Sequence, residues 1–256
     1  MLKIRQYVRP ETLEEAYELC LKKKNRIIGG MLWLKMQDLS VNTAIDLQDL
    51  HLDTIEENEY EYRIGCMVSL RQLELHDGLN DLTQGALSQS LAHIVGVQFR
   101  NLATIGGSIW GRFGFSDVLT LFMAIDAKVE LYERGIMSIE EFADMPRTVR
   151  DLLIRIIVPK VRRTTVYRSQ RNASTDFPVL ACAVSKTADT VCCSVGARPG
   201  KAKIVRELPD DPAEAAEYAV SRLTFGTNLR GSSDYRRQIC RVLVRRAMEQ
   251  LEDMEV

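Results

Sequence analysis

The spacing of hydrophobic residues divides the first half of the chain into short, mixed elements. Apolar side chains recur at helical spacing from Leu13 to Cys20, which predicts an amphipathic helix. Thr12 and Glu15 form the sequence T-x-x-E at its start, a capping box. The run Arg26-Ile27-Ile28 stops at two glycines, so we expect a short strand that ends in a tight turn.

Turn residues and caps predict the next elements. Short β-type runs predict strands at 43–47, 54–55, 60–64 and 128–132, the middle two paired as a hairpin around a polar turn at 56–59. Helical spacing predicts a helix over 86–95. Ser116, as an N-cap residue, predicts a second helix that ends at about Ile125. The segment 99–111 has three glycines and no helical period, so it is expected to be irregular.

The second half of the chain has a different pattern. An apolar run from Leu152 ends at Pro159, and polar turn residues then separate three strand-like segments, at 164–171, 177–186 and 190–197. This order is typical of an antiparallel meander. Helices are predicted at 212–222 and 232–252. The chain is thus expected to be an α+β protein with two domains, residues 1–160 and 161–256.

Composition and charge exclude several classes of protein. The 256 residues include 34 Lys and Arg against 35 Asp and Glu, a net charge of −1, with 46% hydrophobic residues. A dominantly disordered chain needs lower hydrophobicity and higher net charge. A near-neutral chain also lacks the cationic surface that nucleic-acid binding requires, so no nucleic-acid partner is expected.

No membrane span or metal-binding motif is expected either. The longest uncharged stretch, 82–99, contains three glutamines, two serines and a histidine, and the charged N-terminus lacks the apolar core of a signal peptide. The six cysteines include no C-x-x-C pair and the three histidines are dispersed, so we expect no metal site and a reducing, cytoplasmic setting. Cys192 and Cys193 fall on a predicted strand, where neighbours face opposite sides.

Two glycine pairs are the main candidates for chemistry. Gly29-Gly30 follows an apolar run, and Gly106-Gly107 lies in the sequence TIGGS. Consecutive N–H groups exposed at such a turn can hold a pyrophosphate without basic side chains. Neither pair matches a G-x-G-x-x-G or P-loop motif, so a purely structural role as tight turns stays open.

Three segments resemble a known family. IIGGMLWLKMQ, TIGGSIWGRFGFSD and RGSSDYRRQICRVLVRRAMEQL occur in this order, and DFPVLACAV and VGARPGKA lie between the last two. Together they are similar to the FAD-binding medium subunits of the molybdenum hydroxylases, such as xanthine, carbon monoxide and nicotinate dehydrogenases. The resemblance covers nearly the whole chain. It implies an N-terminal, two-subdomain FAD-binding domain of PCMH type and a C-terminal antiparallel sheet with helices.

The resemblance also implies a set of FAD contacts. One segment would wrap the pyrophosphate, formed by Ile27, Ile28, Gly29, Gly30, Met31, Leu32 and Trp33. A second would hold the other side of the phosphate and ribityl region, formed by Thr104, Ile105, Gly106, Gly107 and Ser108. Single contacts are implied at Asp117, Leu153 and Arg168, the last where the family has a lysine.

The sequence departs from the family at several of these positions. Met31 and Leu32 replace polar residues that follow the first glycine pair, and Ser108 replaces an asparagine. A segment with aromatic side chains, residues 110–115, replaces a stretch of small residues. Contacts made through backbone N–H groups survive such changes, so FAD binding is expected. A scaffold subunit that has lost FAD is the alternative.

Several side chains permit two interpretations. Asp117 can be a helix-terminal acid or a flavin contact. Trp33, Trp110, Phe113 and Phe115 can belong to the core or shield a flavin face. The arginines of the last helix can form a solvated face or a docking surface for an acidic partner. No acid pair or histidine suggests the base that a stand-alone FAD oxidase would need.

The expected function follows from the resemblance. The chain would pass electrons from 2Fe-2S clusters of one partner subunit, through FAD, to NAD+ or another acceptor. A second partner subunit would carry the molybdenum cofactor. The assembly is expected to be cytoplasmic and a dimer of heterotrimers, in which the partners supply the clusters and molybdopterin.

Overall fold

The fold contains three β-sheets, with α-helices between and outside them. The structure is a computed structural model that describes residues 1–255. The expected α+β class is confirmed. The first sheet is parallel, in the order β1-β3-β2, and contains β1 (Lys3–Val8), β2 (Arg26–Ile28) and β3 (Ser40–Asp46). Helix α1 (Leu13–Leu21) connects β1 to β2. Thr12 caps α1 as predicted, whereas the Glu15 carboxylate accepts the N–H of Glu11.

The second sheet has five antiparallel strands. These are β4 (Ile55–Glu57), β5 (Glu61–Gly65), β6 (Lys128–Leu131), β7 (Gly135–Ser138) and β8 (Leu153–Pro159), in the order β4-β5-β8-β6-β7. The predicted hairpin is confirmed as β4 and β5. Its turn is closed by Asn58, whose side-chain oxygen accepts the N–H groups of Tyr60 and Glu61 at 2.8 and 2.9 Å.

Short helices fill the space between the sheets. They are α2 (Leu70–Glu74), α3 (Asp77–Leu82), α4 (Ala86–Ala92), α5 (Val97–Leu102), α6 (Ile105–Trp110), α7 (Asp117–Ala124) and α8 (Ile139–Asp144). The expectation of an irregular segment at 99–111 is wrong, because α5 ends and α6 begins there. Tertiary packing overrides the low helix propensity of glycine in α6.

The third sheet is antiparallel and covered on both faces. Its strands β9 (Thr164–Gln170), β10 (Leu180–Lys186), β11 (Val191–Gly196) and β12 (Lys203–Val205) form the predicted meander. Helix α7 packs on one face, and α9 (Pro212–Arg222) and α10 (Ser233–Glu255) cover the other. Cys192 belongs to the core under the first face and Cys193 to the core under the second, as strand periodicity predicts.

One arginine of the C-terminal helix is not on a solvated face. Arg236 is 1% exposed, and its guanidinium donates hydrogen bonds to four backbone carbonyls and to Asn228. Arg241 pairs with Glu217 of α9 at 2.6 Å. Part of the basic charge of this helix is thus used in contacts inside the fold.

Within residues 1–255, no helix is both long and apolar enough to cross a membrane. The boundary at residue 160, in the link between β8 and β9, stays a prediction.

Candidate functional site

The two glycine pairs lie side by side in the structure. Gly29 and Gly30 follow β2, and Gly106 and Gly107 lie in the first turn of α6. The Thr104 side chain caps α6 by accepting the N–H of Gly107 at 3.1 Å. A Cβ atom on Gly29 would lie 2.7 Å from the same Thr104 hydroxyl oxygen. The threonine hydroxyl therefore sits between the two glycine segments, about 75 residues apart in the chain.

One glycine of each pair is required for packing against backbone. A Cβ atom on Gly106 would lie 2.5 Å from the carbonyl oxygen of Cys66, and one on Gly30 would overlap the carbonyl group of Leu102. Both positions therefore exclude larger residues. Gly107 has a helical backbone and needs no left-handed conformation, contrary to what a glycine turn predicts.

The first glycine segment leaves backbone donors free. The N–H groups of Gly30, Met31 and Leu32 have no acceptor among residues 1–255. Met31 adopts φ 57, a conformation that is uncommon outside glycine. Consecutive unpaired N–H groups in a turn attract an anion. This segment can therefore hold phosphate oxygens although its side chains are apolar.

An aromatic cavity of about 450 Å³ opens on one side of the glycine segments. Its aromatic wall consists of Trp33, Phe99, Trp110, Phe113, Phe115 and Phe177. The Trp33 ring lies 5.4 Å from that of Phe177, which lies 4.1 Å from that of Phe115. Aromatic rings at such separations form a stable apolar surface, which suits a flat aromatic ligand.

A basic cavity of about 720 Å³ opens on the other side. Its cationic side chains are Lys23, Arg26, Arg147 and Arg150. Arg150 donates to the carbonyl oxygens of Cys20, Lys22 and Lys23 at the end of α1. Burial lowers the pKa of Arg26, and the charge of Arg150 adds to that effect.

The charge of the basic cavity is not neutralised from within. Asp151 is the acidic residue of its wall, and its carboxylate pairs with Arg134 at 2.6 Å. The cavity therefore favours an anionic ligand. The two cavities meet at a junction formed by Ile27, Gly29, Thr104, Gly107 and Trp110.

A buried ion pair borders the aromatic cavity. Asp117 is the first residue of α7, but the cap of that helix is the Ser116 hydroxyl, which accepts the N–H of Leu119. The Asp117 Oδ1 atom instead accepts hydrogen bonds from the Tyr167 hydroxyl and from Arg171, whose nitrogen is 2.6 Å away. Burial raises the pKa of Asp117, and the nearby charge of Arg171 opposes that shift.

Most of the predicted contact residues line these cavities. Residues 27–33, Thr104, Gly107, Ser108 and Asp117 line the aromatic cavity, and Gly106 and Leu153 line the basic cavity. Ile105 does not, because its side chain is fully buried in the core. Their roles as FAD contacts stay predictions.

Arg168 lies elsewhere. It is on β9, where Tyr167 faces α7 and Arg168 faces the opposite side, bonded to Gln250 of α10 at 2.9 Å. Arg171, one residue past the end of β9, is on the α7 side. Arg168 lines neither cavity, and Arg171, three residues further along, does. The reason is the two-residue period of a strand, which puts neighbours on opposite faces.

Sequence reasoning missed several residues of the site. Arg171 and Phe177 reach the aromatic cavity from the loop between β9 and β10, and Arg26 and Arg150 meet across the basic cavity. The strand alternation from Tyr167 to Arg171 was a usable signal for Arg171. Nothing in the sequence places Arg26 beside Arg150, because the contact depends on how the first sheet packs.

Fold and site together define a flavin-binding subunit, and comparison with known proteins supports this class. Residues 2–161 match the family described as FAD binding domain in molybdopterin dehydrogenase. The chain is 30% identical over 249 residues to the uncharacterised protein YgfM of Escherichia coli K12, covering 94% of both. It is 26% identical over 278 residues to the glyceraldehyde dehydrogenase medium chain of Sulfolobus acidocaldarius, covering 96% of this chain and 97% of that protein.

Solved structures show the same fold. A chain of the reconstituted CO dehydrogenase from Oligotropha carboxidovorans superposes with a TM-score of 0.85 at 21% identity, covering 97% of each chain. The protein therefore belongs to the family of FAD-binding domains in molybdopterin dehydrogenases, and the cofactor predicted from the sequence, FAD, is confirmed as that of the family.

The residues present fit FAD. Free N–H groups, the glycine backbone at the junction, an aromatic cavity and a basic cavity match a dinucleotide with one large flat ring and a charged pyrophosphate. Each cavity has a volume in the range of ligand sites, roughly 300–1,000 Å³. The replacement of polar residues by Met31 and Leu32 leaves these features in place.

Proposed function

We propose that this protein is the electron-transfer subunit of a multi-subunit molybdenum hydroxylase and that FAD binds across the junction of its two cavities. The observation that carries the proposal is the contact of the two glycine segments through Thr104, beside N–H groups that have no acceptor in residues 1–255. An anion bound there would be held by backbone donors.

The chemistry of the cavity walls suggests the direction of the bound FAD. The isoalloxazine ring suits the aromatic cavity, where Trp33, Phe115 and Phe177 offer flat apolar contacts. The adenosine monophosphate half suits the basic cavity, where Arg26 and Arg150 favour negative charge. The pyrophosphate would then lie at residues 29–32, opposite Gly107.

The chain's own residues would bind and orient the cofactor, while FAD supplies the redox chemistry. The Thr104 hydroxyl group fixes the start of α6 by accepting the N–H of Gly107, and it lies against Gly29. The aromatic residues would exclude water from the part of the ring that they cover. Asp117 presents a second carboxylate oxygen, Oδ2, that accepts no hydrogen bond from residues 1–255 and is available to a ligand N–H group.

The electron source would be another subunit. All six cysteines are free and buried, so they are not arranged to hold a cluster. The proposal therefore includes a 2Fe-2S subunit as donor, a molybdenum-cofactor subunit, and NAD+ or another compound as acceptor. That one relative is called a medium chain supports membership of a larger assembly. A cytoplasmic dimer of heterotrimers remains part of this proposal.

A scaffold subunit without FAD is the competing function. The Met31-Leu32 departure favours it, because these side chains cannot donate to a diphosphate. The open cavities and the free N–H groups favour retained FAD binding. A subunit that had lost FAD would gain stability by filling the cavities and pairing these N–H groups.

Cofactor analysis tests the proposal directly. The purified protein is denatured and the released small molecules are separated, and apoprotein is titrated with FAD. We expect FAD in stoichiometric amount or saturable FAD binding. A protein that releases no FAD and does not bind added FAD would be the scaffold.

Capture of the tagged chain from its native host tests the assembly. Iron and molybdenum are expected in the captured complex. If the chain is recovered alone, without either metal, the electron-transfer role has no source of electrons. Charge reversal at Arg237 and Arg241 asks whether the last helix is the docking surface. Unchanged complex formation would exclude the helix but not the role.

A further inference from the structure

Within residues 1–255, the side chains of the ion pair beside the aromatic cavity are hydrogen-bonded only to each other, Tyr167, Ser169 and Asp176. The Asp117 and Arg171 side chains are 6% and 7% exposed, and their charged atoms are 2.6 Å apart. Arg171 also donates to the carbonyl oxygen of Asp176 at 2.6 Å and to Ser169. Both Asp117 and Arg171 line the aromatic cavity.

Other charged groups at this cavity are more exposed. Asp176 pairs with Arg230 at 2.9 Å, with both side chains about one-third exposed. His93 contacts the Ser174 hydroxyl at the cavity edge. Solvent screens such groups, whereas a buried charge acts through a low dielectric and has a larger effect on a bound ligand.

Reduction of FAD changes its charge. Two electrons, delivered by the iron–sulfur partner proposed above, and one proton from solvent, bound at N5, convert the neutral ring into an anion. A nearby cation stabilises that anion and a nearby carboxylate destabilises it. The ratio of affinities for reduced and oxidised FAD therefore depends on the balance of buried charge at the cavity.

We propose that the Asp117–Arg171 ion pair sets the reduction potential of FAD in the aromatic cavity, with Asp117 cancelling the buried cation. Without Asp117, Arg171 favours the reduced anion and the potential rises. With the pair intact, the ring is kept at a lower potential and remains a stronger electron donor to the acceptor. This inference rests on the proposed function, because it requires FAD with its ring in that cavity.

The test is Asp117→Asn, which removes the charge and keeps the shape and the acceptor for Tyr167 and Arg171. The reduction potential of the bound FAD is measured by spectroscopic redox titration. We expect the affinity ratio to shift about tenfold toward reduced FAD, a rise of ~30 mV for a two-electron couple. The control is Asp49→Asn at the surface pair with Arg9, where no shift is expected.

Arg171→Gln provides a second variant with the opposite sign. Measured at alkaline pH, which favours the ionised Asp117 carboxyl group, it should lower the potential. An unchanged or lower potential in Asp117→Asn overturns the inference. If Asp117→Asn does not retain FAD, an unchanged or higher potential in Arg171→Gln overturns it. Wild-type protein that binds no FAD overturns the proposed function itself, and FAD bound with insensitive potentials overturns only this inference.

Discussion

Substitution of Gly107 by valine separates folding from FAD binding. Gly107 is in the first turn of α6, where its N–H is bonded to the Thr104 hydroxyl. A Cβ atom there would lie 3.2 Å from that hydroxyl oxygen, and apart from its chain neighbours and the backbone of its own helix no other atom is within 4 Å. The added side chain would project into the junction of the two cavities, where the pyrophosphate is proposed to lie. The Thr104 hydroxyl must move by a few tenths of an ångström to accommodate the Cβ atom, whereas a bound pyrophosphate would compete with the added side chain for the same space.

The expected magnitudes follow from that geometry. Extra methyl groups in a filled site cost about 1–3 kcal/mol, which is about 5- to 150-fold in the Kd for FAD. The unliganded chain should keep its stability to within about 1 kcal/mol, because the gain in helix propensity, up to ~1 kcal/mol for alanine and less for a β-branched residue, offsets the small shift required of Thr104. Gly107→Ala should therefore show a smaller loss of affinity and no loss of Tm.

The assay is an FAD titration of apoprotein combined with a thermal melt. Gly106→Ala is the matched control, since its Cβ would lie 2.5 Å from the Cys66 carbonyl oxygen. That variant should lose stability first. If Gly107→Val folds and binds FAD with unchanged affinity, the pyrophosphate does not pass Gly107. If Gly107→Val melts at a much lower temperature, the space beside Gly107 is not open.

Three further predictions concern stability and reactivity. Arg236→Met should cost about 3 kcal/mol or more in urea unfolding, because it leaves buried carbonyl oxygens without donors, whereas the exposed Arg237→Met should be nearly neutral. Val95→Gly should raise the free energy of unfolding by up to about 1 kcal/mol, since valine at φ 52 is strained; an unchanged or lower free energy of unfolding contradicts this. The six cysteines should not react with a thiol reagent at pH 8 in the native protein. Burial raises their pKa values, to about 12 for Cys66, so the reactive thiolate forms only at higher pH. Rapid labelling at pH 8 would contradict the burial of these side chains.

Much of the fold was predictable because its signals are local. Asn58 closes the hairpin with its own side chain, and the turns of the third sheet occur where polar residues interrupt apolar runs. The opposite orientation of Cys192 and Cys193 needs only strand periodicity. Each of these features is decided within a few residues, so the sequence contains all the information required.

The features that sequence reasoning missed depend on distant contacts. Helix α6 forms despite two glycines because Thr104 caps it and Cys66 packs against Gly106. Arg26 and Arg150 both line the basic cavity, although they are far apart in the chain. Matching by position with the family selected Arg168, whereas the orientation of β9 brings Arg171 to the cavity.

The two glycine pairs show why motif and turn interpretations could not be separated before the structure. In each pair, one glycine packs against a backbone carbonyl, Gly30 on Leu102 and Gly106 on Cys66, and these contacts alone would make both pairs structural. The other glycine of each pair faces the Thr104 hydroxyl and lines both cavities. A substitution at a packing glycine therefore disturbs the fold first, although Gly30 and Gly106 each line one cavity, whereas a substitution at Gly107 tests the ligand. The same dipeptide serves both purposes, so its presence in the sequence cannot distinguish a turn from a phosphate site.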